Sequence, residues 1–170
     1  MTENFQFDQS QIDYIQKSFT NNFKFRFTLF KILPMGFLSG MKISELTEEK
    51  CSVTVPYKRK NKNPFQSTFW AVLGMAAEMS SGALLIMFTH KQKPSVAMII
   101  LNCTGNFVKK ATDITTFTCG DGQKIKEAVK TAIQKEEAQL IECHMKGVNE
   151  AGEEVANFTF TWSVKARIKK

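Results

Sequence analysis

Between Phe69 and Phe88 the chain carries one ionisable side chain, Glu78, in a run that is otherwise apolar or small. A carboxylate held in apolar surroundings is uncommon, and it can serve as a general base or attack an electrophile directly. On a helix, the positions three and four residues to either side and seven before share its face, and these are Ala71, Gly74, Met75, Ser81 and Gly82. All but Met75 are small. Small residues beside an acid leave space, either for a close-packed neighbour or for a bound molecule. Gly74 and Gly82 each weaken a helix by roughly 1 kcal/mol relative to Ala, so one of the two must come close. Upstream, Asn63 suits an N-cap, Pro64 the first helical position and Gln66 the capping-box position, which predicts a helix starting at Asn63. The cations Lys58, Arg59, Lys60 and Lys62 just before it form either a solvated loop or a cradle for phosphates. Lys109 with Lys110, and the tail from Lys165 to Lys170, are weaker candidates for the same role.

The remaining reactive residues are sparse. With His90 and His144 as the only histidines, no histidine-rich metal site or H-E-x-x-H motif is expected. Cys51, Cys103, Cys119 and Cys143 lie far apart with no C-x-x-C pair, and are read as reduced core thiols rather than metal ligands.

A helix this apolar is either wrapped by protein or crosses a bilayer. Glu78 at its middle argues against a bilayer, and so do the neighbouring segments, which read as strands of a sheet. Cys51 to Tyr57 alternates apolar and polar, which predicts a strand with one buried face. Ser95 to Cys103 is almost continuously apolar, which predicts a strand buried on both faces in the middle of a sheet. Thr112 to Cys119 is β-rich and closed by Gly120-Asp-Gly122. Leu140 to Met145 and Val155 to Ala166 form a hairpin whose second arm puts Phe158, Phe160, Trp162 and Val164 on one face. Met35 to Leu46 is a further candidate strand. The expected architecture is α+β, a long central helix enclosed by a curved antiparallel sheet, with a helical N-terminal extension over residues 1–34 and the main domain over 35–170. In that extension, a capping box at Ser10 to Asp13 starts a helix with Ile12, Ile15 and Phe19 inward. The stretch Phe23 to Pro34 forms a second helix, whose interleaved Phe, Lys and Arg suit a membrane surface or stacked bases as well, but are read as a core-facing stripe with solvated cations. Lys124 to Glu137 predicts an exposed helix, an insertion that covers one sheet edge or a pocket opening.

The chain has 170 residues, 43% of them hydrophobic and 23% charged, which fits one globular domain and excludes a disordered or fibrous chain. Its formal net charge of +7 suits polyanionic partners: nucleic acid, anionic lipid or a phosphorylated cofactor. No helix-turn-helix, zinc or RNP-like pattern is present, so nucleic acid is not expected. The first residues lack a basic start and apolar stretch, so a cytoplasmic setting is expected.

With Asn63, Ser67 and Glu78 on a helix followed by four strands, the chain resembles the hotdog-fold thioesterase superfamily. The resemblance is to the phenylacetyl-CoA thioesterase-like group and its relatives grouped as a domain of unknown function, and it covers about residues 35 to 167. In that family the helix opens with Asn, then Thr or Ser, then His-Gly-Gly, with an Asp or Glu in the following turns. Here Asn63 and Ser67 match by spacing, Glu78 falls on the acidic position, and Phe69-Trp70-Ala71 replaces His-Gly-Gly. The resemblance implies a hotdog fold and a homodimer or dimer of dimers whose paired sheets join, with acyl-CoA sites at the interface. Glu78 would be base or nucleophile, Asn63 would position water or thioester, and the backbone near Trp70 would hold the oxyanion. Ser67, Phe69, Trp70, Ala71, Gly74, Ser81 and Gly82 would line the substrate, and Lys58, Arg59 and Lys60 would meet the phosphates of coenzyme A. Coenzyme A enters as part of the substrate, with no further cofactor. The aromatic pair where the family has His-Gly-Gly also admits a second expectation, a non-catalytic acyl or lipid carrier.

Overall fold

In the run from Phe158 to Val164, apolar side chains alternate with Thr159, Thr161 and Ser163, and a period of two turns every large side chain to one side. The computed structural model, which describes residues 5–167, realises this run as a strand of a sheet folded around a helix. The elements in chain order are α1 (Gln9–Thr20), α2 (Asn22–Ile32), α3 (Pro34–Ser39), β1 (Lys42–Leu46), β2 (Cys51–Val55), α4 (Trp70–Thr89), β3 (Val96–Phe107), β4 (Thr115–Cys119), α5 (Gly122–Lys135), β5 (Gln139–Val148) and β6 (Glu154–Ala166). The six strands form one antiparallel sheet in the order β1-β2-β4-β5-β6-β3. The sheet curves around α4, whose Leu73, Ala77, Leu84, Leu85 and Phe88 are buried against Val53, Phe117, Phe160 and Trp162 in one core cluster. This is the hotdog fold, a long helix in a curved sheet with added N-terminal helices. Helix α4 is long and apolar enough to cross a membrane, and it is instead the core of the fold.

Several elements depart from the sequence expectations for physical reasons. Helix α4 starts at Trp70, not Asn63. The Asn63 carboxamide does accept backbone N–H groups, but those of Phe65 (3.0 Å) and Ser67 (3.2 Å), closing a loop instead of a helical turn. Gln66 adopts a left-handed conformation at φ 60°, and Lys62 pairs with Thr68 across the loop. Helix α1 is capped by Asp8, whose carboxylate accepts from the N–H and hydroxyl of Ser10, so Ser10 lies inside the helix. Of the candidate strand from Met35 to Leu46, only Lys42–Leu46 is strand, because Pro34 opens the short helix α3.

Strand β3 is not central. It pairs with β6 alone and forms the sheet edge, with Ile99 61% and Leu101 57% exposed. Cys103 on this strand is exposed, whereas Cys51, Cys119 and Cys143 are buried as expected. Helix α5 buries Ile125, Val129 and Ile133 and packs on α4, β5 and β6, so it is an integral part of the core layer. Helix α2 turns Phe25 and Leu29 inward but leaves Phe23, Phe27 and Phe30 outside, reversing the core-facing reading of that stripe.

Candidate functional site

Glu78 lies midway along α4, on the face turned toward β6 and β3. Two glycines on that face leave room that the sheet does not take up. A Cβ at Gly74 would stand 3.6 Å from the Phe158 ring and one at Gly82 would stand 4.0 Å from Trp162, both ordinary contacts. Close packing therefore does not require either glycine. Ser81 is fully buried and its hydroxyl accepts a hydrogen bond from Trp162 Nε1 at 3.1 Å while donating to the Glu78 carbonyl. The pair fastens α4 to β6 one turn beyond the carboxylate.

The space beside Glu78 is a cavity of about 250 Å³. Its walls are Met79, Gly82 and Ile86 of α4, Met98 of β3 and Trp162 of β6, and it is closed by Phe25, Leu29 and Ile32 of α2 with Leu33 just beyond that helix. The Glu78 carboxylate is half-buried and makes no hydrogen bond or ion pair with a described residue. Burial pushes its carboxyl above the ordinary value, because the charged form loses hydration that no donor replaces. Cys103 pairs with Phe160 across the β3–β6 ladder, so both side chains point toward α4. Burial and the Glu78 charge raise the Cys103 thiol.

A second cavity, of about 340 Å³, opens at the start of α4 between Asn63, Ser67, Trp70, Phe107 and Lys110. Asn63 Nδ2 donates to Ser67 Oγ at 3.0 Å, which holds both side chains at the cavity wall. Phe69 caps α4 without a side-chain hydrogen bond, and the first N–H to return to it is that of Val72. The N–H groups of Trp70 and Ala71 are thus left without partners among the described residues, as helix starts leave them. Phe69 and Trp70 are exposed and meet edge to face at 5.8 Å. Lys58, Arg59 and Lys60 lie just before this loop, with Arg59 and Lys60 exposed and Lys58 beside Gly40. Lys110 Nζ donates to the Phe65 carbonyl at 3.2 Å, and Lys109 is paired with Glu153 at 2.6 Å.

The structure therefore gathers Asn63, Ser67 and Trp70 in one cavity and Glu78 with Gly82 in another. Trp70 and Glu78 are eight residues of helix apart, about 12 Å. Sequence reasoning missed the α2 wall, Met98 and Cys103. The register of β3 against β6 could have flagged Cys103, but a bulge between Ile100 and Asn102 shifts it. It also missed Asn61, which is buried and ties the loop down by donating to the carbonyls of Ser39 (2.8 Å) and Pro56 (2.7 Å). One group among the described residues has metal-ligand spacing: Cys119, Asp121 and Cys143 place their ligand atoms within 4.8 Å of one another, away from both cavities.

The sequence model of a family described as a domain of unknown function, DUF4442, matches residues 26–164. No curated protein matches the chain. Among solved structures, a probable thioesterase of unknown function, PA5026 from Pseudomonas aeruginosa, is similar at TM-score 0.71 and 18% identity, over 85% of this chain and 96% of that one. Thioesterase HI1161 from Haemophilus influenzae is similar at TM-score 0.65 and 13% identity, over 88% and 93%. The PaaI protein of the phenylacetic acid degradation operon from E. coli is similar at TM-score 0.60 and 16% identity, over 89% and 97%. At these identities the likeness is one of fold.

Proposed function

We propose, from the premise that the chain belongs to the DUF4442 family and has the hotdog fold, that it hydrolyses acyl thioesters of coenzyme A with Glu78 as the general base. The observation that carries this reading is the Glu78 carboxylate itself: half-buried, without a partner among the described residues, and facing an apolar cavity from the central helix. In its ionised form it takes a proton from water, and the resulting hydroxide forms the new C–O bond at the thioester carbonyl. The oxyanion is held by the N–H groups of Trp70 and Ala71, which are preorganised at a helix start and have no partner among the described residues. Collapse breaks the C–S bond, and the proton passes from Glu78 to the departing thiolate.

Base and oxyanion donors come from two copies in this reading. Along one helix they are about 12 Å apart and line different cavities, too far for one carbonyl. An antiparallel second copy at β3 supplies the juxtaposition. The β3 edge favours such pairing, because among the described residues no strand pairs with its outer side, and Ile99 and Leu101 are exposed there. Asn63 and Ser67 then shape the thioester end of the site, the cavity behind Glu78 takes the acyl group, and Lys58, Arg59 and Lys60 meet the phosphates.

Thiol release from aromatic and aliphatic acyl-CoAs, with wild type and Glu78→Gln side by side, tests this. The variant is expected to lose about 10²- to 10⁴-fold in kcat, the usual contribution of a positioned base. Undiminished turnover in Glu78→Gln removes that residue from the mechanism. A second reading, a non-catalytic acyl carrier, is favoured by the bulky exposed Phe69–Trp70 pair at the helix start. It predicts no turnover with any acyl-CoA and a retained acyl ligand in native mass spectrometry.

A further inference from the structure

We propose that α2 and α3 form a docking face for an anionic lipid bilayer, with the outer phenylalanines of α2 entering the headgroup boundary. The argument begins with the placement of side chains around α2. At 3.6 residues per turn, Phe23, Phe27 and Phe30 fall within an arc of about 60°, with Lys24 and Lys31 on one shoulder and Arg26 on the other. The opposite face, Phe25 and Leu29, is in the core. The helix is thus anchored by one apolar face and presents a second: Phe23 is 82%, Phe27 54% and Phe30 59% exposed. Helix α3 extends the same surface with Met35 and Leu38, and Phe30 packs edge to face on Phe37 at 5.4 Å. Contiguous apolar surface of this kind is rare on soluble proteins and marks a contact site.

The cations select the partner. Arg26 stacks over Phe37 at 4.6 Å and Lys31 over Phe27 at 4.4 Å, so the positive charges ride on the apolar patch itself. From Tyr14 to Ser44 the chain has no Asp or Glu, and none from Lys50 to Ala77, while Lys24, Arg26, Lys31, Lys42, Lys58, Arg59 and Lys60 all fall in these two segments. Burial first, and then the neighbouring charges of Lys60, Arg26 and Lys42, hold the Lys58 ammonium below its ordinary value, so these cations belong to one neighbourhood. A two-fold contact of this face with itself would set the charges of Lys24, Arg26 and Lys31 against their like, and neither α2 nor α3 carries a carboxylate to answer them. An anionic lipid surface answers every one, and phenylalanines flanked by Lys and Arg are what such a surface takes up.

The inner side of the same helix gives the docking a consequence. Leu29, Ile32 and Leu33 wall the cavity beside Glu78, so a seated α2 places that cavity one helix thickness from the acyl-chain layer. Delivery of a lipid-derived acyl group by this route rests on the proposed function, but binding does not, and it is read without turnover.

Flotation of the full-length protein with vesicles of phosphatidylcholine, alone or mixed with phosphatidylserine, tests the proposal. Binding to the mixed vesicles alone is expected, weakening as salt is raised. Phe27→Ser/Phe30→Ser is expected to lower the affinity at least about tenfold, and Lys24→Gln/Lys31→Gln to lower it and flatten the salt dependence. No binding at low salt, equal binding to both vesicles, or full binding by the phenylalanine variant overturns the proposal. Light scattering on the same phenylalanine variant guards the alternative: a fall in its mass relative to wild type assigns the face to a second copy, and also overturns it.

Discussion

Glu78 carries two consequences with one physical cause. Burial disfavours its charged form, so its folded carboxyl sits above the ordinary value of 4.5. In the unfolded chain it ionises first as pH rises, so between 4.5 and the raised folded value the native state binds the extra proton. The contribution to stability is therefore full below 4.5 and is lost as pH climbs through the folded value. Glu78→Gln abolishes this loss. Melting temperatures of variant and wild type are expected to agree most closely in acid and to diverge in the variant's favour toward neutral pH. A constant difference across the series would remove burial as the cause. Activity runs the opposite way, rising with pH through the same interval because the base must be ionised. Ser81 belongs at this scale too. Ser81→Ala leaves the buried Trp162 Nε1 without an acceptor and is expected to cost about 1–3 kcal/mol in urea unfolding.

At the scale of elements, what the sequence disclosed depended on whether a residue's environment is local. The alternation of β6 and the apolar length of α4 read directly, because every turn or pair repeats the same burial. Asn63 misled because the side-chain oxygen that caps a helix also closes an Asx-type loop, and the choice was made by Asn61, Ala111 and the Lys62–Thr68 bridge, which are remote or unremarkable in type. Strand β3 misled because an apolar run reports that its residues avoid water without saying what covers them. If a second copy covers it, as proposed, Ile99→Lys/Leu101→Lys sets like charges along the paired edge and is expected to halve the mass seen by sedimentation. An unchanged mass would detach the dimer from this strand. Glu78 was legible as a lone acid, whereas its α2 wall was not, since Phe25 and Phe27 differ only in the side of the helix they take.

For the whole molecule, the excess of +7 is not spread evenly, and its acid-free stretches adjoin the apolar face of α2 and α3. The sheet order also imposes a sequence of events on synthesis. Strand β3 has a single neighbour, β6, which lies far downstream, with β4, α5 and β5 between them in the chain. As the chain leaves the ribosome, Val96 to Leu101 is made early and must wait, unpaired, until β6 appears to receive it. Such a waiting apolar strand is a natural substrate for holding chaperones and a nucleation point for aggregation. Slow translation between Phe107 and Glu154 would prolong that interval, making the route to the folded state most vulnerable at a strand that ends the finished sheet.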